Sequence, residues 1–318
     1  MKLITSKVFN MNPKSPEARR RDENPFDGLK ITNTEILSTL ERRSQCPRCG
    51  KSRMYFCYTC FVPISELESK IPSCKLPIKV DIIKHKREID GKSTAAHAAV
   101  LAPNDVRVFT YPDIPSYEKE ERVVLLFPGT DACTVTELYK GKGNSVSYAD
   151  NLLAELPQGY NVGTLMRKVF HNNKDENKIY HSDILPIDRL ILIDSTWNQS
   201  RGIYADSRLQ VIPKVVLQNR VSQFWRHQKG SPRWYLSTVE ALHQFLLELH
   251  ICAWGCDAGY TTELTINSPV HSEEPHSQCI PYNGQYDNLL FFFKFMYEKL
   301  HSIYKHEDML AYKRPMEV

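Results

Sequence analysis

Five short apolar runs punctuate the chain: Lys79-Val-Asp-Ile-Ile83, Val106-Arg-Val-Phe109, Val123-Val-Leu-Leu-Phe127, Leu190-Ile-Leu-Ile193 and Lys214-Val-Val-Leu217. None alternates cleanly between apolar and polar. Runs rich in Val, Ile and Leu without a polar side are the pattern of strands covered on both faces, as in a parallel sheet. Between them the period changes. Ser93 to Ala102 is alanine-rich, opens at a capping residue type and is stopped by Pro103, which predicts a helix. Ser237-Thr-Val-Glu240 reads as a capping box ahead of a segment that brings Leu242, Leu246 and Leu249 to one side. An aromatic helix is expected around Tyr286 to Tyr304. Strands alternating with helices give an α/β domain.

The polar stretches set the organisation. Residues 1–30 carry Pro13, Pro16 and Pro25 among mixed charges and predict a mobile arm. A cysteine-rich segment spans 31–75, and the α/β domain 76–254, with an insertion at about 138–186. A polar loop insertion over 255–287 precedes a C-terminal helix and tail over 288–318. The first residues include Arg19, Arg20 and Arg21 without the apolar core of a signal peptide. The longest candidate for a membrane span, Leu289 to Phe293, stops at Lys294. A soluble intracellular protein with no membrane partner is expected. A net charge of +4 on 318 residues permits a nucleic-acid partner without demanding one.

Nine cysteines in a reducing compartment do not read as a disulfide framework. Four of them form two knuckles, Cys46-Pro-Arg-Cys49 and Cys57-Tyr-Thr-Cys60. A two-residue gap lets both sulfurs of a knuckle face one ion, so the pattern predicts a structural Zn²⁺ on Cys46, Cys49, Cys57 and Cys60. A ribbon this short is expected to draw its folding energy from the metal rather than from hydrophobic burial.

The most informative segment is Leu190 to Arg201, an apolar strand that ends in Asp194-Ser-Thr-Trp197 and runs into a helix. Ligands of open α/β sheets sit outside the carboxyl ends of strands, which places Asp194 where a site is built. An aspartate between strand and helix is also a common N-cap, and both readings stand at this point. Phe127-Pro-Gly-Thr-Asp131 is a turn able to bring backbone amides close to a ligand, and Lys84-His-Lys-Arg-Glu88 is a third polar strand end. Trp197 fits either core packing or stacking on a base. Basic residues at 19–21, 42–43, 84–87 and 220–233, interleaved with Phe224, Trp225 and Trp234, suit an RNA-contacting surface.

Asp194-Ser-Thr-Trp197 after an apolar strand resembles the D-x-T-W signature of the DTW-domain family. The likeness extends in order over about residues 45–250. It takes in the paired cysteines, His85 and Glu88 followed by Thr94, the Phe127-Pro128 turn with Asp131-Ala132, and Arg226 followed by Leu236-Ser-Thr-Val-Glu-Ala241. Ser195 stands where many members carry glycine, the second knuckle is wider than in some, and the insertions after Leu138 and Trp254 have no counterpart in short bacterial members.

The resemblance implies a SPOUT-like, mostly parallel α/β fold with a knotted C-terminal region. It also implies S-adenosylmethionine as donor and tRNA as partner, with no obligate protein partner. The reaction implied is transfer of the aminocarboxypropyl group to uridine N3, favouring the D-loop, with methylthioadenosine leaving. The resemblance is to the vertebrate-type members reported as nuclear and implies a location in the nucleus, with the cytoplasm as an alternative. On that reading Asp194 is the base, Thr196 binds the donor's amino-acid part and Trp197 stacks. Pro128, Gly129, Asp131, Ser195, Ser237, Thr238 and Glu240 line the donor site, and His85, Arg87, Glu88, Arg201, Arg220 and Arg226 meet RNA. Two rivals are a methyltransferase on the same scaffold and a zinc-ribbon RNA-binding protein without catalysis.

Overall fold

The computed structural model describes residues 24–140, 185–217, 220–228, 230–260 and 280–315. It opens with helix α1 (Glu35–Ser38) and two small antiparallel hairpins. These pair β1 (Ser44–Gln45) with β2 (Ser52–Arg53), and β3 (Phe56–Cys57) with β4 (Val62–Pro63). Then come β5 (Lys79–Lys84), α2 (Ala95–Leu101), β6 (Val106–Thr110), β7 (Val123–Leu126), β8 (Cys133–Thr134) and α3 (Val135–Tyr139). The second half holds β9 (Arg189–Asp194), α4 (Trp197–Tyr204), α5 (Ser207–Gln210), β10 (Lys214–Val216), α6 (Thr238–Trp254) and α7 (Phe291–His301).

All five apolar runs are strands. With β8 they form one six-stranded sheet in the order β6-β5-β9-β7-β10-β8, parallel throughout. Alternate residues serve opposite faces, both of them apolar. Val80, Ile82, Val124, Leu190, Leu192 and Val215 face the large core built with α2 and α6. Ile83, Leu125 and Ile191 turn the other way onto Ile203 of α4 and Leu209 of α5. This double covering is the reason the runs showed no polar face. Among the described residues no helix is long and apolar enough to cross a membrane.

Several expectations change at the edges of this domain. Residues 24–30 are not a free arm: Phe26 packs edge-on against Phe293 and Tyr297, and the Lys30 amide donates to Asp287 at 2.6 Å. Asp287, assigned to a polar loop insertion, is fully buried and accepts from Tyr260, Tyr282 and His243. Burial works against its charge, but His243, Tyr260 and the Lys30 amide outweigh that and hold it below the usual carboxylate range. The ribbon is also not without a core of its own. Tyr55, Ile64 and Leu67 join Phe291, Phe292 and Phe295 of α7 in one apolar cluster, so aromatic burial holds it to the domain as well. Arg19, Arg20, Arg21 and most of the 138–186 insertion lie outside the described residues.

Candidate functional site

Asp194 ends β9 at the centre of the sheet, in register with Lys84 at the end of β5, and its carbonyl accepts from the His85 amide at 3.0 Å. Chain direction across the sheet switches here: β6 follows β5 on one side, while β9 and β7 lie on the other. Such a switch point is where α/β sheets open a crevice at their carboxyl edge. The Asp194 side chain is 5% exposed. One oxygen accepts from Ser93 Oγ at 2.6 Å, the other from Thr238 Oγ1 at 2.5 Å. Ser93 opens α2, accepting from the Ala95 amide at 3.1 Å, and Thr238 opens α6. Thr94 completes the junction by accepting from the Val239 amide at 3.2 Å. The carboxylate therefore joins two helix starts to one strand end.

The cap reading at position 194 does not hold. The helix that follows, α4, is capped by Thr196, whose amide donates to Gln199 Oε1 at 3.2 Å. Asp194 is not an N-cap. Burial pushes its carboxyl above the usual range, against the opposing pull of the Ser93 and Thr238 hydroxyls and of Lys84. The starts of α2 and α6, which supply these hydroxyls, are part of that enclosure. Glu88, half-buried nearby, is raised by burial and by the Asp194 charge, with Arg226, Lys84 and Lys92 pulling the other way. Two carboxylates thus share one field.

The remaining expected residues divide. Trp197 is partly exposed and lies 4.1 Å from the Tyr235 ring, while Phe127 stacks on Tyr204 at 4.3 Å. With Phe127 also 6.5 Å from Trp197, these rings form one aromatic group next to the Asp194 strand end. Asp131 is ion-paired with Lys214 at 2.5 Å, which holds its pKa low. A Cβ on Gly129 would sit 2.8 Å from Lys214 Cε and 2.9 Å from Asp131 Oδ1, so a larger residue there would displace the ends of that ion pair. Thr196 is exposed and Ser195 partly so, the latter donating to the Thr196 carbonyl.

Glu240 does not face a ligand. It is 1% exposed and takes Ser222 Oγ, the Gln223 amide, and both the amide and hydroxyl of Ser237 at 2.7–2.9 Å. The capping box is present, and it also pins the loop before α6. Arg220 was expected to serve ligands and not the core, but its Nη1 turns inward, 3.4 Å from His243 Nδ1 and 3.5 Å from Gln244 Oε1. Arg226 reaches Gly91, beside Glu88. Arg87 and Arg201 are exposed, and His85 Nδ1 accepts from the Arg87 amide. Sequence reasoning overlooked Lys214 and Tyr235, and also His97, the lone polar side chain in an alanine run.

The four knuckle sulfurs lie within 4.8 Å of one another, and Cys49 and Cys57 are 3.7 Å apart. The two knuckles repeat one local geometry. Gly50 and Phe61, each just after its knuckle, have positive φ, and their amides donate to the Cys46 and Cys57 carbonyls at 2.9 and 2.7 Å. The Arg48 and Cys60 amides point at Cys46 and Cys57 sulfur at 3.4 Å, as does Arg53 Nε at Cys57. Burial alone would raise the Cys57 thiol, but Arg53 and the amides bring it down to about 6. Four converging sulfurs with N–H donors aimed at them are a thiolate set able to hold a metal ion.

Comparison with known proteins bears on the whole assembly. The DTW domain family matches residues 54–301, from just after the first knuckle, which it leaves out, through the end of α7. The chain is similar to proteins named tRNA-uridine aminocarboxypropyltransferase 1. It is 40% identical to that of Xenopus tropicalis over 281 residues, covering 87% of this chain and 86% of the relative. Identity to the Mus musculus protein is 39% over 289 residues (86% and 83%), and to the Homo sapiens protein 39% over 284 (87% and 84%). No solved structure matches the chain.

Proposed function

The chain belongs to the DTW-domain family, and on that premise we propose its reaction. It transfers the 3-amino-3-carboxypropyl group of S-adenosylmethionine to N3 of a tRNA uridine, in the D-loop, releasing methylthioadenosine. The observation that carries this reading is the Asp194 carboxylate, raised by burial and fixed at the switch point of the sheet.

The donor arrives with its own sulfonium leaving group. What the chain must supply is alignment and removal of the N3 proton as the N3–carbon bond forms and the carbon–sulfur bond breaks. Asp194 is closed off by two hydroxyls, so the proton route runs through Thr238, which is partly exposed. Thr238 Oγ1 takes the N3 proton while passing its own to Asp194. Trp197 and Tyr235 offer a stacking surface for a base, with Pro128, Gly129, Asp131, Ser195 and Thr196 around it. The bonds that hold Glu240 and Arg220 assign them to building the site. N3 lies on the pairing edge, so the target uridine is read unpaired, and the exposed Arg87 and Arg201 suit its phosphates.

The knuckle thiolates suit Zn²⁺, held by Cys46, Cys49, Cys57 and Cys60 in a closed structural site that takes no part in the chemistry. A SPOUT-like fold is supported by strand order: β9 lies between β5 and β7, and β10 between β7 and β8, each inserted among strands that precede it in the chain.

The test is incubation with labelled donor and unmodified tRNA. Methylthioadenosine and a D-loop aminocarboxypropyluridine are expected. S-adenosylhomocysteine would assign the chain to methyl transfer, and absence of saturable donor binding to a non-catalytic RNA-binding role.

A further inference from the structure

Beside Ser93, at the start of α2, lies a cavity of about 470 Å³. Phe56 and Tyr58 of the ribbon, Trp225 and Arg226, the start of α2 and the end of α7 enclose it. That volume falls in the range of small-ligand sites, and the reaction as proposed uses none of it. Its walls are aromatic and already fixed. Trp225 packs on Phe293 at 4.9 Å, Phe56 meets His97 edge-on at 5.5 Å, and the Arg53 guanidinium lies 3.8 Å over the Tyr58 ring.

His97 lines this cavity, is 6% exposed, and its Nδ1 is buried without a hydrogen-bond partner among the described residues. Folded proteins rarely leave such an atom unsatisfied, because it forfeits about 1–3 kcal/mol until something bonds it. Burial, with the Arg226 charge adding to it, pushes the ring down to about 3, so at neutral pH it is an uncharged imidazole with one donor and one acceptor nitrogen. The mouth is cationic: Arg226 and Lys92 line it, and the acidic Asp90 is ion-paired with Lys84. A flat ring with polar edges, joined to an anion, satisfies all of these at once. The donor fits less well: its anion is a carboxylate offset by an ammonium and a sulfonium, so its net charge is positive.

We infer that this cavity holds an unpaired nucleotide of the RNA, next to the uridine being modified. Its base lies among Phe56, Trp225 and His97, and its phosphate faces Arg226 and Lys92. The inference rests on the tRNA reading above. Ser93 gives the connection, because it lines the cavity and donates to Asp194 at 2.6 Å. A base seated there places its neighbour on the Asp194 side of one side chain.

Two variants of the full chain test it, His97→Phe inside the cavity and the exposed rim change Lys92→Glu. Binding of unmodified tRNA and of uridine 5′-monophosphate is measured beside methylthioadenosine release. His97→Phe is expected to raise the KM for tRNA by about tenfold, the value of one buried hydrogen bond, with kcat kept. Its melting temperature at pH 7 should match or exceed wild type, since the unpaired nitrogen is gone. Lys92→Glu should weaken tRNA binding and flatten its salt dependence. Wild-type tRNA affinity in both variants would overturn the inference, as would weakened binding of the donor in place of RNA. Wild-type protein that binds tRNA but releases no methylthioadenosine would sink the proposed reaction, while the comparison of RNA affinities still reads the cavity.

Discussion

Replacing Asp194 separates two tasks, the structural one that its hydrogen bonds show and the proton acceptance proposed for it. In Asp194→Ala the Ser93 and Thr238 hydroxyls lose their acceptor in a buried site. Hydrogen bonds to a charged group are worth about 1.5–3 kcal/mol each, partly offset here by relief of a buried charge, so a net loss of about 2–4 kcal/mol is expected. Asp194→Asn keeps one acceptor oxygen and the shape, and should cost about 1 kcal/mol or less. Its effect on chemistry should be far larger. Loss of a general base lowers the single-turnover rate about 10²–10⁴-fold, or roughly 3–5 kcal/mol of barrier. The assay is methylthioadenosine release under single-turnover conditions, with denaturant unfolding on the same samples. The pH dependence has a definite sign. A carboxyl whose native pKa is raised binds protons more readily folded than unfolded, so stability falls as pH climbs from about 3.9 through the raised native value. The asparagine variant should lack that decline, along with the rising limb of the rate profile over the same window. Thr238→Ser should retain the rate and Thr238→Val should lose it. An asparagine variant within a few-fold of wild type would refute Asp194 as base. A matching loss in Glu88→Gln alone would move the role there.

Three further outcomes follow from the same contacts. Glu240→Ala removes the shared acceptor of Ser222, Gln223 and Ser237 and should cost roughly 3–5 kcal/mol in denaturant unfolding, whereas a loss under about 1 kcal/mol would mean that it does not pin the loop. Elemental analysis should find one zinc per chain, and both a chelator and Cys57→Ser should lower the melting temperature, with the donor's affinity unchanged; protein free of metal, with four titratable thiols, speaks against the site. Because His97 is held at about 3 in the folded state, the unfolded chain takes up the proton first as pH falls below about 6.5. Wild type should therefore lose about 2 kcal/mol more than His97→Phe between pH 7 and 5, and equal losses would show the ring is already protonated when folded.

The strands were legible because each is covered on both faces, which leaves a continuous apolar run that local pattern detects. Within the central sheet only β8 escaped, since Cys133–Thr134 is too short to make a pattern and is recognised by its pairing with β10; the two-residue strands of the ribbon hairpins escaped for the same reason. The Asp194 corner was legible as a place, through an apolar strand ending in polar residues. Its partners were not, because Ser93 and Thr238 lie far from it in sequence and meet it only when α2 and α6 pack on the same face. The same blindness misplaced Arg220 and Glu240. Arg220 sits in a polar stretch that reads as surface, yet the chain folds it back onto α6, and Glu240 of α6 is buried by the same loop through Ser222 and Gln223. The polar arm failed for a related reason. Phe26 was one apolar residue among charges, and its partners Phe293 and Tyr297 stand near the other end of the chain.

The scattered residues that carried the family resemblance are one connected structure. Thr94 caps α6 and Ser93 meets Asp194. Thr238 meets Asp194 from the other side, and Glu240 ties α6 to the loop that presents Arg226. A pattern spread over about 150 residues of sequence is thus a chain of hydrogen bonds around one carboxylate. That arrangement reconciles enclosure with chemistry. A base buried this deeply gains proton affinity by desolvation but loses direct access to its substrate. A hydroxyl between base and substrate restores access without admitting water, since it can give one proton as it takes another. Ser93 and Thr238 hold the carboxylate from two helix starts, and of the two Ser93 also lines the aromatic cavity. Proton transfer through Thr238, as proposed, leaves the Ser93 bond intact, so the proposed nucleotide site is undisturbed by the chemistry.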